Sequence, residues 1–317
     1  MAVAPNIFAA LADPTRLRVL MLLRAMELSV GEIAQVLGQS QPRVSRHLRI
    51  LIDAGLAERR KEGSWVFVSL AERERVEPLF QLLERWADLD GEAASTGEDA
   101  VRLAAVRSDR AAAAQAYFAA HAEQWDALRS LHVAESEVEA AIGRALGDAP
   151  LGRLIDVGTG TGRMIELFAP AAAQALGVDR SPEMLRLARV KLALAGLAAD
   201  LRQGDMYALP LSSGAADTVI VHQVLHYAQN PAAAVAEAAR LLAPGGRLLI
   251  ADFAAHQREE LRSRDAHARL GFADEAVLGW LDAAGLEGRV AEHLEGGELT
   301  VTIWLGVQPV ERLKSVA

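Results

Sequence analysis

The sequence predicts two domains: a small helical domain with a β-hairpin, then an α/β domain with a mostly parallel sheet of seven strands. Three observations support this. A chain of 317 residues exceeds what one hydrophobic core usually organises. Residues 1–90 combine short helical patterns with a hairpin pattern, whereas the chain from Leu151 repeats strand, glycine turn and helix, which is typical of parallel α/β sheets.

The N-terminal elements follow from local signals. Asp13-Pro14-Thr15 opens a helix, with proline in its tolerated first turn. A second helix begins near Ser29, and a third runs from Ser40 to Ala54, where Gly55 ends it. Alternation over 56–68 around a glycine-bearing tip predicts a hairpin. Helix, helix-turn-helix and hairpin in this order make a winged helix-turn-helix domain, and a further helix follows over 74–89.

The segments LADPTRLRVLMLL and QPRVSRHLRILIDAGLAERRKEGSWVFVSL carry a family resemblance. Over residues 5–90 the chain resembles the ArsR/SmtB family of bacterial repressors. The resemblance implies operator DNA as a partner and a homodimer, with the 74–89 helix as the dimer element. Its apolar positions are Val76, Leu79, Phe80, Leu83 and Trp86.

The charge distribution favours DNA contact despite a net charge of −9. Residues 1–90 hold 12 basic and 12 acidic side chains, and 39–61 hold 6 basic against 2 acidic, a local basic patch. In a helix-turn-helix the second helix enters the major groove, where glutamine and arginine read adenine and guanine. The predicted DNA-binding residues are Gln41, Arg43, Ser45, Arg46 and His47 on the helix and Arg59, Arg60 and Lys61 on the wing, with Leu48, Ile50 and Leu51 facing inward.

No metal site is predicted. Many ArsR-type repressors sense metals through a cysteine that corresponds to Gly31 here, and this chain contains no cysteine. Thiolate sensing of soft metals or arsenicals is therefore excluded, as is arsenite methylation through cysteine thiols. The regulatory signal must come from another part of the chain.

The composition sets the expected domain limits. We expect the winged helix domain at 1–90, an acidic aperiodic linker at 91–100, an alanine-rich helical connector or lid at 101–150, and the α/β domain at 151–317. No stretch offers eighteen uncharged apolar residues, and no secretory signal is evident. The sequence thus predicts a cytoplasmic protein without a membrane partner.

A glycine-rich turn marks a candidate ligand site. The apolar strand that begins at Arg153 ends in Asp156, followed by Gly158, Gly160 and Gly162 and then a helix. Glycines let backbone approach a ligand, and the helix N-terminus offers free N–H groups. A dinucleotide motif would require glycine at 163, where arginine stands. The acid two residues before the first glycine suits a cationic amino group.

Further polar residues follow the later strands. Asp179 ends the second strand, where an acid accepts ribose hydroxyls, and Arg180 comes next. Asp205 and Met206 follow the third strand, and a turn at Pro244-Gly245-Gly246 precedes the fifth.

In this order the motifs resemble Rossmann-like class I S-adenosylmethionine-dependent methyltransferases over residues 110–305. The resemblance implies binding of S-adenosylmethionine (SAM) or its demethylated product, S-adenosylhomocysteine (SAH). It places Asp156 and Gly158 at the methionine amino group, Asp179 at the ribose, and Asp205 with Met206 beside adenine. It also implies a terminal antiparallel hairpin near 288–293 and 299–305, and a lid that includes Tyr117 and Trp125.

Methyl transfer depends mainly on alignment of the reacting groups in a dry site, so the reaction is left open. His222 and His226, which follow the fourth strand, are candidate catalytic bases, and His222 also a cofactor contact. Two functions compete: a regulator that senses SAM or SAH through this domain, which we favour, and an active small-molecule methyltransferase with an autoregulatory DNA-binding domain. The sequence identifies no methyl acceptor.

Overall fold

The computed structural model divides into two compact units, Met1–Ala113 and Ala114–Ala317. It describes residues 4–62, 65–71, 73–90, 97–106, 108–109, 134–197, 199–295 and 298–310. In the described part, no helix is long and apolar enough to span a membrane.

The first unit contains the predicted helices and hairpin. Asp13 begins the second helix by accepting hydrogen bonds from the backbone N–H groups of Thr15 and Arg16, at 2.8 and 3.2 Å. Ser29 and Glu32 form a capping box at the start of the third. The elements are α1 Ala4–Leu11, α2 Pro14–Ala25, β1 Leu28–Ser29, α3 Val30–Leu37, α4 Gln41–Asp53, β2 Ala57–Glu62, β3 Trp65–Leu70, α5 Arg73–Asp90 and α6 97–106, and the sheet order is β1-β3-β2.

Helix α4 packs through one narrow face. Val44, Leu48 and Leu51 are each 3% exposed or less, and their spacing of four and three residues places them on one side of a helix. The expectation for Ile50 is wrong, because its side chain is 42% exposed. It precedes Leu51 by one residue, about 100° around the helix, and so leaves the buried face.

Helix α5 contributes to the core of its own unit. Val76 and Phe80 are 3% and 1% exposed within one chain, so these two side chains offer no surface to a second copy. Leu79 and Leu83 are only partly buried against the same core. The side chain of Trp86 lies outside the described residues. The homodimer expected from the resemblance stays a prediction.

Helix α6 packs on the winged helix. Asp99 is 5% exposed and accepts two hydrogen bonds of 2.6 Å from the guanidinium group of Arg18 on α2. Arg102 donates to the carbonyl oxygen of Val36 at 3.2 Å, near the end of α3. Leu103 and Val106 lie in the core of the first unit. This unit therefore includes residues that composition assigns to the linker and connector, because buried contacts hold them there.

The second unit is a three-layer α/β domain. Its elements are α7 Glu135–Leu146, β4 Arg153–Val157, α8 Arg163–Phe168, β5 Gln174–Asp179, α9 Pro182–Leu194, β6 Asp200–Gln203, β7 Ala216–His222, α10 Pro231–Arg240, β8 Leu242–Phe253, α11 Glu260–Arg264, α12 Asp274–Ala283, β9 Glu287–Leu294 and β10 Val301–Val307.

The sheet of this unit has the order β6-β5-β4-β7-β8-β10-β9. Strands β4 to β8 pair in parallel, and β10 is antiparallel to both β8 and β9. This confirms the predicted seven-stranded, mostly parallel sheet with a terminal antiparallel hairpin. The strand order reverses at β4, and in doubly wound sheets ligands bind at the carboxyl ends of the strands beside such a point.

An ion pair joins the amino ends of β4 and β7. The Asp217 carboxylate accepts a hydrogen bond of 2.8 Å from the backbone N–H of Arg153 and another of 2.8 Å from Nη2 of its guanidinium group. These contacts lower the pKa of the Asp217 carboxyl to about 2. Both side chains are 41% exposed, so solvent screens the pair and its contribution to stability is modest.

We expect Asp217→Asn to lower the free energy of unfolding by about 1 kcal/mol at neutral pH. Because the folded-state pKa is depressed, this contribution is present above the ordinary value of 3.8 and is lost as pH falls toward 2. Urea unfolding at a series of pH values measures the difference between the two proteins. Asp148→Asn, at an exposed acid after α7, is the control. If the difference in unfolding free energy between wild type and Asp217→Asn does not become smaller at acid pH, the ion pair is not its source.

Candidate functional site

The glycine-rich turn leaves β4 at the reversal point of the sheet. Gly158, Gly160 and Gly162 have φ values of 74°, 52° and 85°, the left-handed region that favours glycine. A Cβ on Gly158 would lie 2.4 Å from a methyl carbon of Val224, in the segment after β7. The turn therefore has little room for a side chain, and its backbone can approach a ligand closely.

Asp179 fastens this turn to the neighbouring strand. At the end of β5, its carboxylate accepts hydrogen bonds from the backbone N–H groups of Gly160 and Ser181, both at 2.8 Å. Burial raises the pKa of the Asp179 carboxyl, and these N–H donors oppose the rise. The side chain lies at the carboxyl end of β5, where the sequence predicts a ribose-binding acid.

The other predicted nucleoside residues occupy the same edge of the sheet. Asp156 is 1% exposed, near the end of β4. Asp205 and Met206 follow β6 and are half-buried, whereas Arg180 is exposed. The expected lid residues Tyr117 and Trp125 lie outside the described residues.

Tyr207 joins the loop after β6 to the segment after β7, and sequence reasoning missed it. Its backbone N–H donates to Asp205 at 3.0 Å. Its hydroxyl oxygen accepts hydrogen bonds from the backbone N–H groups of Gln229 and Asn230, at 2.7 and 3.1 Å. Burial raises the pKa of Tyr207. Nothing in the local sequence indicates this link, because the residues that donate to the Tyr207 hydroxyl are more than twenty residues away.

Two histidines follow β7. His222 ends the strand and is 6% exposed. The next residue, Gln223, has φ of 51°, which is uncommon for a residue with a side chain and concentrates at functional sites. His226 is 2% exposed, and its Nδ1 lies 2.7 Å from Asp252 Oδ1 at the end of β8. The structure thus gives His226 a carboxylate partner that the sequence pattern did not reveal.

The first unit presents a separate candidate face for DNA. Most of the side chains predicted on α4 are exposed, as is Arg59 on β2. His47 differs, since its side chain is 13% exposed and its Nδ1 lies 3.8 Å from Asp13 Oδ1. Arg60 and Lys61 belong to β2, but their side chains lie outside the described set. The predicted DNA-binding residues of α4 that are exposed are Gln41, Arg43, Ser45 and Arg46.

Gly31 lies next to this face. A Cβ on Gly31 would be 3.3 Å from the side-chain nitrogen of Gln41, so a larger residue at this position would crowd the start of α4. Over the described part of the chain, no three His, Asp or Glu side chains are grouped as metal ligands.

Comparisons with known proteins agree with this division. Residues 13–59 match the model of the bacterial regulatory protein arsR family, and residues 155–250 match a methyltransferase domain model. The chain is 46% identical over 67 residues to an arsenical resistance operon repressor of Escherichia coli, covering 21% of this chain and 57% of that protein. It is 30% identical over 213 residues to a ubiquinone biosynthesis O-methyltransferase of Methylococcus capsulatus, covering 60% of this chain and 89% of that protein.

The chain therefore joins an arsR-type region to a domain of the methyltransferase family. The fold is also that of the YcgJ protein from Bacillus subtilis, with a TM-score of 0.50 and 18% identity over 55% of this chain and 99% of that one. The regulator–methyltransferase fusion spans only about half the length of some curated relatives, 52% of one demethylmenaquinone methyltransferase and 57% of the repressor.

Gly158→Ala tests whether the turn binds the nucleoside that the sequence motifs imply: we expect SAH affinity to fall at least 10-fold, because the added methyl group meets Val224 and displaces the turn. Isothermal titration calorimetry measures the affinity. Gly214→Ala is a matched control: its φ of 72° is as unfavourable for alanine, but nothing lies within 4 Å of the added carbon. Equal losses in the two variants would show that backbone strain rather than the close approach matters. Adding Val224→Ala to Gly158→Ala is expected to restore part of the affinity.

Proposed function

We propose that this regulator binds operator DNA as a homodimer and that its methyltransferase domain binds SAM or SAH as the sensed signal, which would link transcription to the methionine and SAM cycle. The observation that carries the proposal is the glycine turn at the reversal point of the sheet, held by Asp179. The winged helix supplies the DNA-binding half of the proposal. The relatives described above, an O-methyltransferase and a repressor, support the same pairing.

The residues present fit an adenosyl ligand with an amino acid tail. Asp156 lies near the start of the turn, where a carboxylate can pair with the cationic amino group of the tail. The turn offers open backbone for close approach, and Asp179 offers carboxylate oxygens at the carboxyl end of β5. Gly204, before Asp205, has no room for a side chain, since a Cβ would lie 2.7 Å from a methyl group of Val178.

Helix α6 packs on the helices that precede the predicted reading helix α4. It is anchored to α2 through Asp99 and Arg18, and to the end of α3 through Arg102. A Cβ on Gly38, in the turn before α4, would lie 3.6 Å from the guanidinium group of Arg102. A shift of α6 would therefore act on the turn that orients α4.

The alternative is an active small-molecule methyltransferase that also controls its own expression. An intact ligand turn supports both functions equally, because binding precedes both sensing and transfer. The buried pair of His226 and Asp252 specifically favours chemistry and is developed in the next subsection. The two functions are compatible in one chain.

For DNA binding, we expect Arg46→Ala to weaken binding to the DNA upstream of the protein's own gene by about 10-fold, since one arginine contact to a base edge contributes about 1–3 kcal/mol. Fluorescence anisotropy at several salt concentrations measures affinity and its salt dependence. Arg85→Ala, at an arginine on α5 outside the predicted face, is the control. Unchanged affinity in both Arg43→Ala and Arg46→Ala would contradict α4 as the reading helix.

For sensing, we expect saturating SAH or SAM to change operator affinity by about 10-fold, within the usual range of coupling between two sites. The same anisotropy measurement with and without each nucleoside tests this. Nucleoside binding without any change in operator affinity would exclude sensing.

The role of α6 has its own variants. Asp99→Asn removes the charge that Arg18 faces, and we expect it to reduce the nucleoside effect while both binding reactions persist. Val101→Ala, on the exposed side of the same helix with 71% exposure, is the matched control. A full nucleoside effect in Asp99→Asn would show that α6 does not carry the coupling.

A further inference from the structure

The pair of His226 and Asp252 is buried and fully oriented. Asp252 is 0% exposed. One carboxylate oxygen lies 2.7 Å from His226 Nδ1 and accepts the backbone N–H of Phe253 at 2.8 Å; the other accepts the backbone N–H of His226 at 3.3 Å. Three contacts of this kind hold the carboxylate and the imidazole ring in one arrangement.

The pair lies at the carboxyl ends of the strands, the same edge of the sheet as the glycine-rich turn after β4. His226 follows β7, and Asp252 lies near the end of β8, one residue beyond Ala251, which pairs with His222. In the strand order, β4 with its glycine turn adjoins β7, and β7 adjoins β8. Val224, which contacts the turn at Gly158, is only two residues before His226. The imidazole therefore belongs to the segment that borders the turn.

The arrangement selects one tautomer of His226. A carboxylate only accepts hydrogen bonds, so Nδ1 carries a proton, and in the neutral form of the ring Nε2 then keeps its lone pair. The ring hydrogen bond of His226 seen among the described residues uses Nδ1. A carboxylate on one nitrogen and a lone pair on the other is the arrangement of a general base, since the carboxylate stabilises the imidazolium that forms.

Three rings enclose His226, and the buried Arg269 donates its backbone N–H to the carbonyl oxygen of His226 at 2.9 Å. Ring centroids of Tyr227, His267 and Phe253 lie 4.0, 4.3 and 4.9 Å from that of His226. Phe253 and His267 are 3% and 5% exposed. A general base serves only an acceptor that still carries its proton, so the imidazole suits a hydroxyl group that is uncharged before transfer.

We propose that His226, positioned by Asp252, is the general base of a methyl transfer to an uncharged, weakly acidic hydroxyl group, as in a phenol or an enol. This activity rests on the proposed binding of SAM, which supplies a methyl group activated by its sulfonium. The acceptor oxygen forms a bond to the methyl carbon as the carbon–sulfur bond breaks, and sulfur keeps that electron pair as a neutral thioether. The hydroxyl proton moves to Nε2 of His226, and Asp252 balances the new positive charge.

The proton position is tested first, by ¹⁵N NMR of the full chain with SAH bound. The signals of His226 are assigned by their absence in His226→Gln. We expect a protonated Nδ1 and an unprotonated Nε2 near neutral pH, and a change in this pattern in Asp252→Asn. A proton on Nε2 in the wild type would overturn the proposal, because that ring nitrogen could not accept another.

Transfer is measured with methyl-labelled SAM and catechol as the probe. We expect wild type to form methylated catechol, His226→Gln to be slowed about 100-fold, a typical contribution of a positioned base, and Asp252→Asn to be slowed about 10-fold or more. The matched control is His293→Gln, at a more exposed histidine whose Nε2 lies 3.3 Å from Asp274. Absence of transfer by wild type, or equal rates in His226→Gln and wild type, would overturn the proposal.

Calorimetry with SAH separates this proposal from the one on which it rests. Variants that retain wild-type SAH affinity and melting temperature but lose transfer support a base. A wild type that binds SAH without transferring methyl groups contradicts the base and leaves the regulator proposal standing. A wild type that binds neither nucleoside contradicts both. Asp252→Glu, which keeps the charge, is expected to retain more activity than Asp252→Asn.

Discussion

The candidate ligand-binding edge of the second unit depends on one carboxylate. Asp179 receives the backbone N–H of Gly160 from the turn after β4 and that of Ser181 from the start of α9. This side chain therefore fixes the turn and a neighbouring helix relative to two adjacent strands. The arrangement has an energetic cost, because burial disfavours the charged form of the carboxyl. In this position the carboxylate satisfies two backbone N–H groups. It is also held in a fixed orientation, as an acceptor for a ligand must be.

Local rules account for much that was predictable. The Ser29 and Glu32 capping box, the proline after Asp13 and the glycines after β4 each act within a few residues, so their effects can be inferred from spacing. The parallel sheet follows for the same reason, since strand and helix patterns repeat along the chain. The same reasoning fails at Ile50, where an apolar residue type coincides with an exposed helix position.

The remaining features depend on contacts that no local pattern encodes. Asp252 meets His226 across 26 residues, Tyr207 reaches Gln229 across 22, and Asp99 meets Arg18 across 81. Each link joins ends of elements that become neighbours only when the sheet or the helical domain has formed. Sequence spacing located His226, but its partner is an acid inside an apolar strand, in a region that carries no polar pattern.

The position of α6 bears on how such a fusion arose and how it can be divided. The acidic segment around residue 95 suggests a natural seam between two ancestral genes, yet buried side chains beyond it belong to the regulator. A protein cut at residue 90 would lose Leu103 and Val106 from its core and leave Arg18 without its carboxylate. The module that evolution can exchange intact therefore extends past the compositional boundary, and recombination at residue 90 would yield a damaged winged helix domain.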